Sequence, residues 1–224
     1  MKPRRTISTS KTCTGLDLEL IEHDERLFLE CQGRQVDASH LGHAARKLIG
    51  VMTRPFRPAR QPRIVFLGLG FGHALLEAQK SLPQEKASFV VLSEADELSR
   101  WISEHLADHP FTDERVHLHQ GSPFDPISGK LSESQGIIAD LDHLEALAPK
   151  KWSILSESIL KGYSDRLKNG GLLGLISTRE RPGLEKELRK VGFDVATDLV
   201  PLSPNSKKNR TLYLGKKGHY QRSH

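Results

Sequence analysis

The apolar and polar positions change period along the chain. "LDLEL", beginning at Leu16, and "RLFLEC" at 26–31 alternate, with polar "EHDE" between them. Period-two alternation on both sides of a short polar turn predicts an antiparallel β-hairpin with one buried face. "CQGRQVD" adds a turn at Gly33 and a third short strand. In "SHLGHAARKLIGVM" the period lengthens: Leu41, Ala44, Ala45, Leu48 and Ile49 share one helical face, and Ser39 stands where an N-cap belongs. "TRPFRPARQP" carries three prolines in ten residues and reads as a linker.

From Arg63 onward, strand and helix patterns alternate. "RIVFL" precedes a helix near Ala74–Leu82, and "SFVVL" precedes "DELSRWISEHLA". "RVHLH" and a Ser-, Pro- and Gly-rich loop lead to "GIIAD". "KWSILSESILKGYSDRLKN" is expected to be one helix, with Trp152, Leu155, Ile159, Tyr163 and Leu167 on one side. "GGLLGLIS", a short helix "GLEKELRKVG", and the strands "FDVATDLVPL" and "RTLYLGKK" follow. Apolar strands separated by amphipathic helices imply an α/β fold: a mostly parallel seven-stranded sheet with helices on both faces. The last two strands lie close enough to pair as a hairpin, which makes the final strand antiparallel. The expected division is 1–60 for a basic tail, hairpin and helix, and 61–224 for a Rossmann-like nucleoside-binding domain.

Charge refines this picture. The net +5 is uneven: residues 1–16 and 203–224 hold ten basic residues and no acid, leaving 23 basic against 28 acidic residues between them. Such ends are expected to be solvated tails, with a nucleic-acid or anionic surface as the alternative. No run approaches the ~18 apolar residues of a membrane span. Cys13 and Cys31 form no metal-type cluster and suit a reducing compartment as free thiols. Cytoplasmic location is therefore expected.

The candidate chemistry begins at "GLGFG". Gly68, Gly70 and Gly72 follow the first strand of the alternating region at every second position. A glycine turn there lets backbone approach a ligand and aims the next helix at it; the bland alternative is a tight turn with no ligand. The dinucleotide fingerprint G-x-G-x-x-G does not fit, because the third glycine comes one residue early and His73 would crowd the helix–strand contact. Glu94, 22 residues after Gly72, ends the next strand, where a carboxylate can accept bonds from both ribose hydroxyls. Asp96 and Glu97 suit the helix N-terminus better.

The G-x-G-x-G spacing resembles the first motif of the class I S-adenosylmethionine-dependent methyltransferase superfamily. The order of the hairpin, the glycine motif, "VVLSEAD", "RVHLHQGSPFD", "GIIADLDH", "LKGYSDRLKNGGLLGLIS" and "NRTLYLG" is similar to that of the spermidine synthase (aminopropyltransferase) family. The resemblance implies a Rossmann-like class I methyltransferase fold preceded by a small N-terminal β-hairpin, and a donor that is S-adenosylmethionine or its decarboxylated form. It further implies a small-molecule acceptor such as a polyamine, and a homodimer through the hairpin. Donor contacts carry over to Gly68, Gly70, Phe71, Gly72, Glu94, Gly121 and Ser122.

Several positions depart from the family pattern. Phe71 stands where the family holds the donor's amine with an acid, and Ser122 follows Gly121 where an Asp near the adenine is usual. Phe66 occupies the position of a common methyltransferase acid. "ADLDH" offers Asp140 and Asp142 one residue closer than the family's Asp-x-x-Asp. The resemblance makes Asp140 the carboxylate that takes the attacking amine's proton and Asp142 its neighbour; capping the following helix is the alternative. The pairs His117/His119 and His40/His43 are expected to be structural rather than metal ligands. The leading expectation is an aminopropyl or methyl transferase. The alternatives are a catalytically degenerate nucleoside-binding or regulatory protein on the same fold, and an RNA methyltransferase using the basic ends.

Overall fold

The computed structural model describes residues 3–119, 122–125 and 133–218. Its first four strands, β1 (Arg5–Lys11), β2 (Asp17–His23), β3 (Arg26–Cys31) and β4 (Arg34–Ala38), form an antiparallel sheet in that order. Asp24 and Glu25 turn β2 into β3 at φ 48° and 64°. Positive φ at both central residues is what a type I′ two-residue hairpin requires. Leu18, Leu20, Leu27, Leu29 and Cys31 are buried and join the core.

The expected hairpin is thus the middle of a four-stranded sheet. The basic N-terminus is not a solvated tail from Arg5 onward, because β1 pairs with β2 along its length. "RTISTSK" has no apolar face to reveal it; it is an edge strand held by the ladder and by charge. Arg5 pairs with Glu22 at 2.6 Å, Lys11 with Asp17 and Arg4 with Glu30, and the Ser10 hydroxyl donates to Glu97. The basic C-terminus is likewise a strand, described below.

α1 (His43–Met52) begins after Gly42 rather than at Ser39. The Ser39 hydroxyl oxygen instead accepts the Leu27 N–H at 3.1 Å. α1 lays Ala44, Leu48, Ile49 and Met52 on the second sheet. There the lack of side chains at two glycines admits it: a Cβ on Gly136 or Gly174 would stand 2.7 or 2.8 Å from Met52.

The second sheet contains β5 (Arg63–Leu67), β6 (Ser88–Leu92), β7 (Val116–His119), β8 (Ser134–Asp140), β9 (Leu167–Ser177), β10 (Phe193–Pro201) and β11 (Asn209–Lys217), in the spatial order β10-β11-β9-β8-β5-β6-β7. β5 to β9 pair in parallel, and β11 runs antiparallel to both β9 and β10. Between the strands lie α2 (His73–Ser81), α3 (Leu98–His105), α4 (Leu141–Leu147), α5 (Glu157–Arg166) and α6 (Leu184–Lys190). The helix expected from Lys151 starts only at Glu157; Trp152 sits outside it, its indole N–H donating to the Phe124 carbonyl at 3.1 Å. Among the described residues no helix is long and apolar enough to cross a membrane.

Chain order reverses between β5 and β8, which opens a crevice beyond their carboxyl ends. The loop after β5 faces it from one side and α4 from the other. Deleting residues 1–11 should lower Tm by several degrees, since an edge strand worth even ~2 kcal/mol shifts a chain of this size by about 4–8 °C. A thermal melt unchanged by the deletion would mean that β1 contributes nothing.

Candidate active site

Gly68, Gly70 and Gly72 have φ of 83°, 51° and 76°. These left-handed values explain the alternation, because residues with a Cβ rarely adopt them. The residues between them, Leu69 and Phe71, turn into the core. Phe71 is 1% exposed, packed in the core at the edge of the cavity over the loop.

The loop amides are already used. Gly68 N–H donates to the Leu92 carbonyl at 2.9 Å. Leu69 and Gly70 N–H donate to the two oxygens of Glu94 at 2.7 and 3.1 Å. Phe71 N–H donates to Asp37 at 2.8 Å. The expected bare backbone notch is therefore occupied. The Asp37 carboxylate lies where a Cβ on Gly70 would be, and the His143 ring stands 3.2 Å from where one on Gly68 would be. The glycines admit protein side chains in this structure. The cause is tertiary: Asp37 comes from β4 and His143 from α4.

Glu94, at the end of β6, is fully buried. Besides the loop amides it meets His143 Nε2 at 2.5 Å. Burial opposes its charge, but the imidazolium and the amide donors outweigh burial and hold its carboxyl below the usual range. Burial also disfavours the His143 cation, yet Glu94, with Asp37 and Asp140 nearby, pushes its pKa up from 6.5 to about 9. Both oxygens of Glu94 are thus spent inside the protein, not offered to a ribose. His143 Nδ1 is buried with no partner. Asp37 is raised by burial, against the opposing pull of His143 and His73.

Asp140 ends β8 and caps α4, one oxygen accepting the Asp142 and His143 N–H groups at 3.1 and 3.3 Å. Its other oxygen takes Arg210 at 2.6 Å. Asp142 takes Arg181 at 2.7 Å and Arg210 at 3.4 Å, and accepts the Thr178 N–H. Arg181 also binds Glu145 at 2.6 Å and the Ser177 hydroxyl at 2.8 Å. The expected pair of carboxylates is brought to the cleft, both in ion pairs and Asp140 also in the cap of α4. Arg210, grouped by sequence with a solvated tail, is 8% exposed on an interior strand.

A cavity of about 70 Å³ lies over the loop, lined among others by Asp37, Gly68, Gly70, Asp140, His143 and Arg210. It adjoins a groove of about 570 Å³ that shares Asp37, Asp140 and Arg210. On the other side of Glu94, a cavity of about 630 Å³ is lined by Cys13, Ser93, Asp96, Leu118, His119 and Ser122. Ser122 therefore sits beyond the ends of β6 and β7, where the resemblance places an adenine. Gly121 lies outside the described residues. The segment before β2 closes on this side, with Cys13 N–H donating to the Glu94 carbonyl at 2.8 Å. Among the described residues no group of three or more His, Cys, Asp or Glu is arranged to hold a metal.

Sequence reading singled out neither Asp37 nor His143 nor the two arginines. The only signal was weak: Asp37 closes a strand, and His143 directly follows the two aspartates.

The buried pair gives stability a defined pH dependence. A raised His143 contributes fully below pH 6.5 and loses that contribution as pH rises through about 9. A depressed Glu94 contributes above 4.5 and loses it as pH falls below that. In His143→Gln the Tm deficit relative to the parent should be largest between those limits and shrink toward pH 9 and above. Parallel melting curves across that range would show that the pair is not ionised.

No protein-family profile matches the chain, and no curated protein matches it. Solved structures do. A spermidine synthase in complex with the transition-state analogue AdoDATO aligns over 96% of this chain and 73% of its own, at 15% identity and a TM-score of 0.70. A probable spermidine synthase from Corynebacterium glutamicum aligns over 93% and 79%, at 18% identity and 0.63. The precorrin-6y C5,15-methyltransferase of Geobacter metallireducens aligns over 77% and 87%, at 15% identity and 0.56. Together with the strand order, the glycine loop and the preceding antiparallel sheet, these likenesses establish a spermidine synthase-like fold, one shared with the methyltransferase aligned here.

Proposed function

We propose that the chain is a transferase that binds S-adenosylmethionine or its decarboxylated form across the glycine loop and passes a methyl or aminopropyl group to a small acceptor. The observation that carries this reading is Asp37. Position 71 lacks the acid that the resemblance leads one to expect, yet a carboxylate from β4 lies at the mouth of the same loop, bonded to Phe71 N–H and facing the cavity that Asp140 also lines. Asp37 is the partner for the donor's ammonium, and the sulfonium carbon then faces Asp140.

In the transfer, a lone pair of the acceptor attacks the carbon next to sulfur. The C–S bonding pair stays on sulfur as a neutral thioether, and the acceptor's proton leaves to water, with Asp140 held beside the reacting atoms by Arg210 and the α4 amides. The protein's share of the work is positioning and a carboxylate near the developing ammonium or oxonium. For the ribose to reach Glu94, the His143 ring must leave it; the Nε2–H now holds the place of a ribose hydroxyl. Donor binding thus competes with the buried ion pair.

Calorimetric titration with S-adenosylmethionine, its decarboxylated form and methylthioadenosine tests the reading. His143→Ala should bind the donor about tenfold more tightly than the parent. Asp37→Asn should bind S-adenosylmethionine tenfold or more weakly, since a charge-assisted hydrogen bond is worth roughly 1.5–3 kcal/mol, while methylthioadenosine, which lacks the aliphatic ammonium, should be unaffected. No binding of any of the three to parent or His143→Ala removes the proposal. The engagement of Asp140 by Arg210 also favours a second reading, a nucleoside-binding protein that no longer transfers; binding without turnover on any acceptor supports that one.

A further inference from the structure

We infer that the acceptor groove is built for a small molecule bearing a carboxylate or phosphate, not for a polyamine. The inference rests on the transferase reading in taking this groove as the acceptor's way in. The groove of about 570 Å³ is walled by β4, by α4 and by the segment after β9, and it opens into the cavity beside the glycine loop.

A polyamine carries two or more ammonium groups and needs carboxylates free to meet them. Four acids line the groove: Asp37, Asp140, Asp142 and Glu145. Three of these are already held in ion pairs by two arginines. Arg210 holds Asp140 at 2.6 Å, and Arg181 holds Asp142 at 2.7 Å and Glu145 at 2.6 Å. The arginine side chains are only 10% and 12% exposed, so they cannot swing into water without rebuilding the wall. A guanidinium does not deprotonate in a protein, so pH does not release the acids either. The fourth acid, Asp37, is bonded to the loop and assigned to the donor.

Asp37 aside, the wall carries four arginines against three acids. Arg34 and Arg179 both line the groove, exposed, and no carboxylate partner is seen for either among the described residues. Arg210 keeps a buried Nε–H with no acceptor. An ammonium entering here meets cations that are either free or shielded by nothing but their own partners. An oxyanion meets forked donors suited to bidentate binding.

The test uses the full chain without donor, at low salt so that exposed charges are not screened. Citrate and pyrophosphate are the oxyanion probes, and putrescine and spermidine the cationic ones, each followed by calorimetric titration. Citrate or pyrophosphate should bind saturably, and the stronger of the two identifies the oxyanion as carboxylate or phosphate. The exposed double substitution Arg34→Gln with Arg179→Gln should weaken that binding tenfold or more while leaving Tm and S-adenosylmethionine binding unchanged. Saturable binding of putrescine or spermidine tighter than either oxyanion overturns the inference. So does oxyanion binding that the double substitution does not move. Loss of donor binding in the parent would sink the transferase reading alone, since the oxyanion titrations are read independently of it.

Discussion

A carboxylate with no access to water organises this cleft. Glu94 leaves the end of β6 and accepts two successive amides of the glycine loop, then meets the imidazole of α4. A buried charge without partners would be prohibitive; with two N–H donors and a cation it becomes a clamp. The clamp sets the loop's path, because Leu69 and Gly70 must present their amides on one side. That in turn demands positive φ at the flanking glycines and sends Leu69 and Phe71 into the core. It also ties α4 to the loop across the crevice. One ion pair thus joins the two walls of the cleft beyond the paired ends of β5 and β8.

The same interaction separates the cleft into compartments. On one side of Glu94 lies the cavity bounded by Cys13, Ser93 and Ser122; on the other lie the small cavity over the loop and the arginine-lined groove. A nucleoside donor would need both sides at once. The fold can supply this only if His143 yields its place, and its unpartnered Nδ1 marks the ring as less firmly held on that edge. Affinity is then reduced by the work of opening the pair, a cost that pre-organising substitutions can remove.

The arginines act in a second layer. Arg210 and Arg181 pair with Asp140, Asp142 and Glu145, so the acidic character visible along "ADLDHLE" is largely offset in the groove. Arg210 belongs to β11 and Arg181 to the turn before α6. Placing β11 between β9 and β10 is what carries a basic residue from the far end of the chain to the end of β8. Charge read along the sequence and charge felt by a ligand differ because strand order differs from chain order.

Local pattern by itself determined the architecture. Periods of two and 3.6 placed the parallel strands and most of the helices, and the spacing of three glycines located the crevice, because backbone conformation and burial are read from neighbours a few residues apart. Polar edge strands escaped this reading: β1 has no apolar face, and its pairing is stabilised by a ladder and by ions supplied from β2 and β3. What only the tertiary structure decided is what fills the crevice. Phe71 meets Asp37 from 34 residues away, Glu94 meets His143 from 49, and Asp140 meets Arg210 from 70. Each partner has an ordinary local role of its own in strand or helix, and nothing in a short window signals the meeting. Burial then turns these meetings into strong interactions, so the chemistry of the site is set by contacts that sequence spacing does not encode.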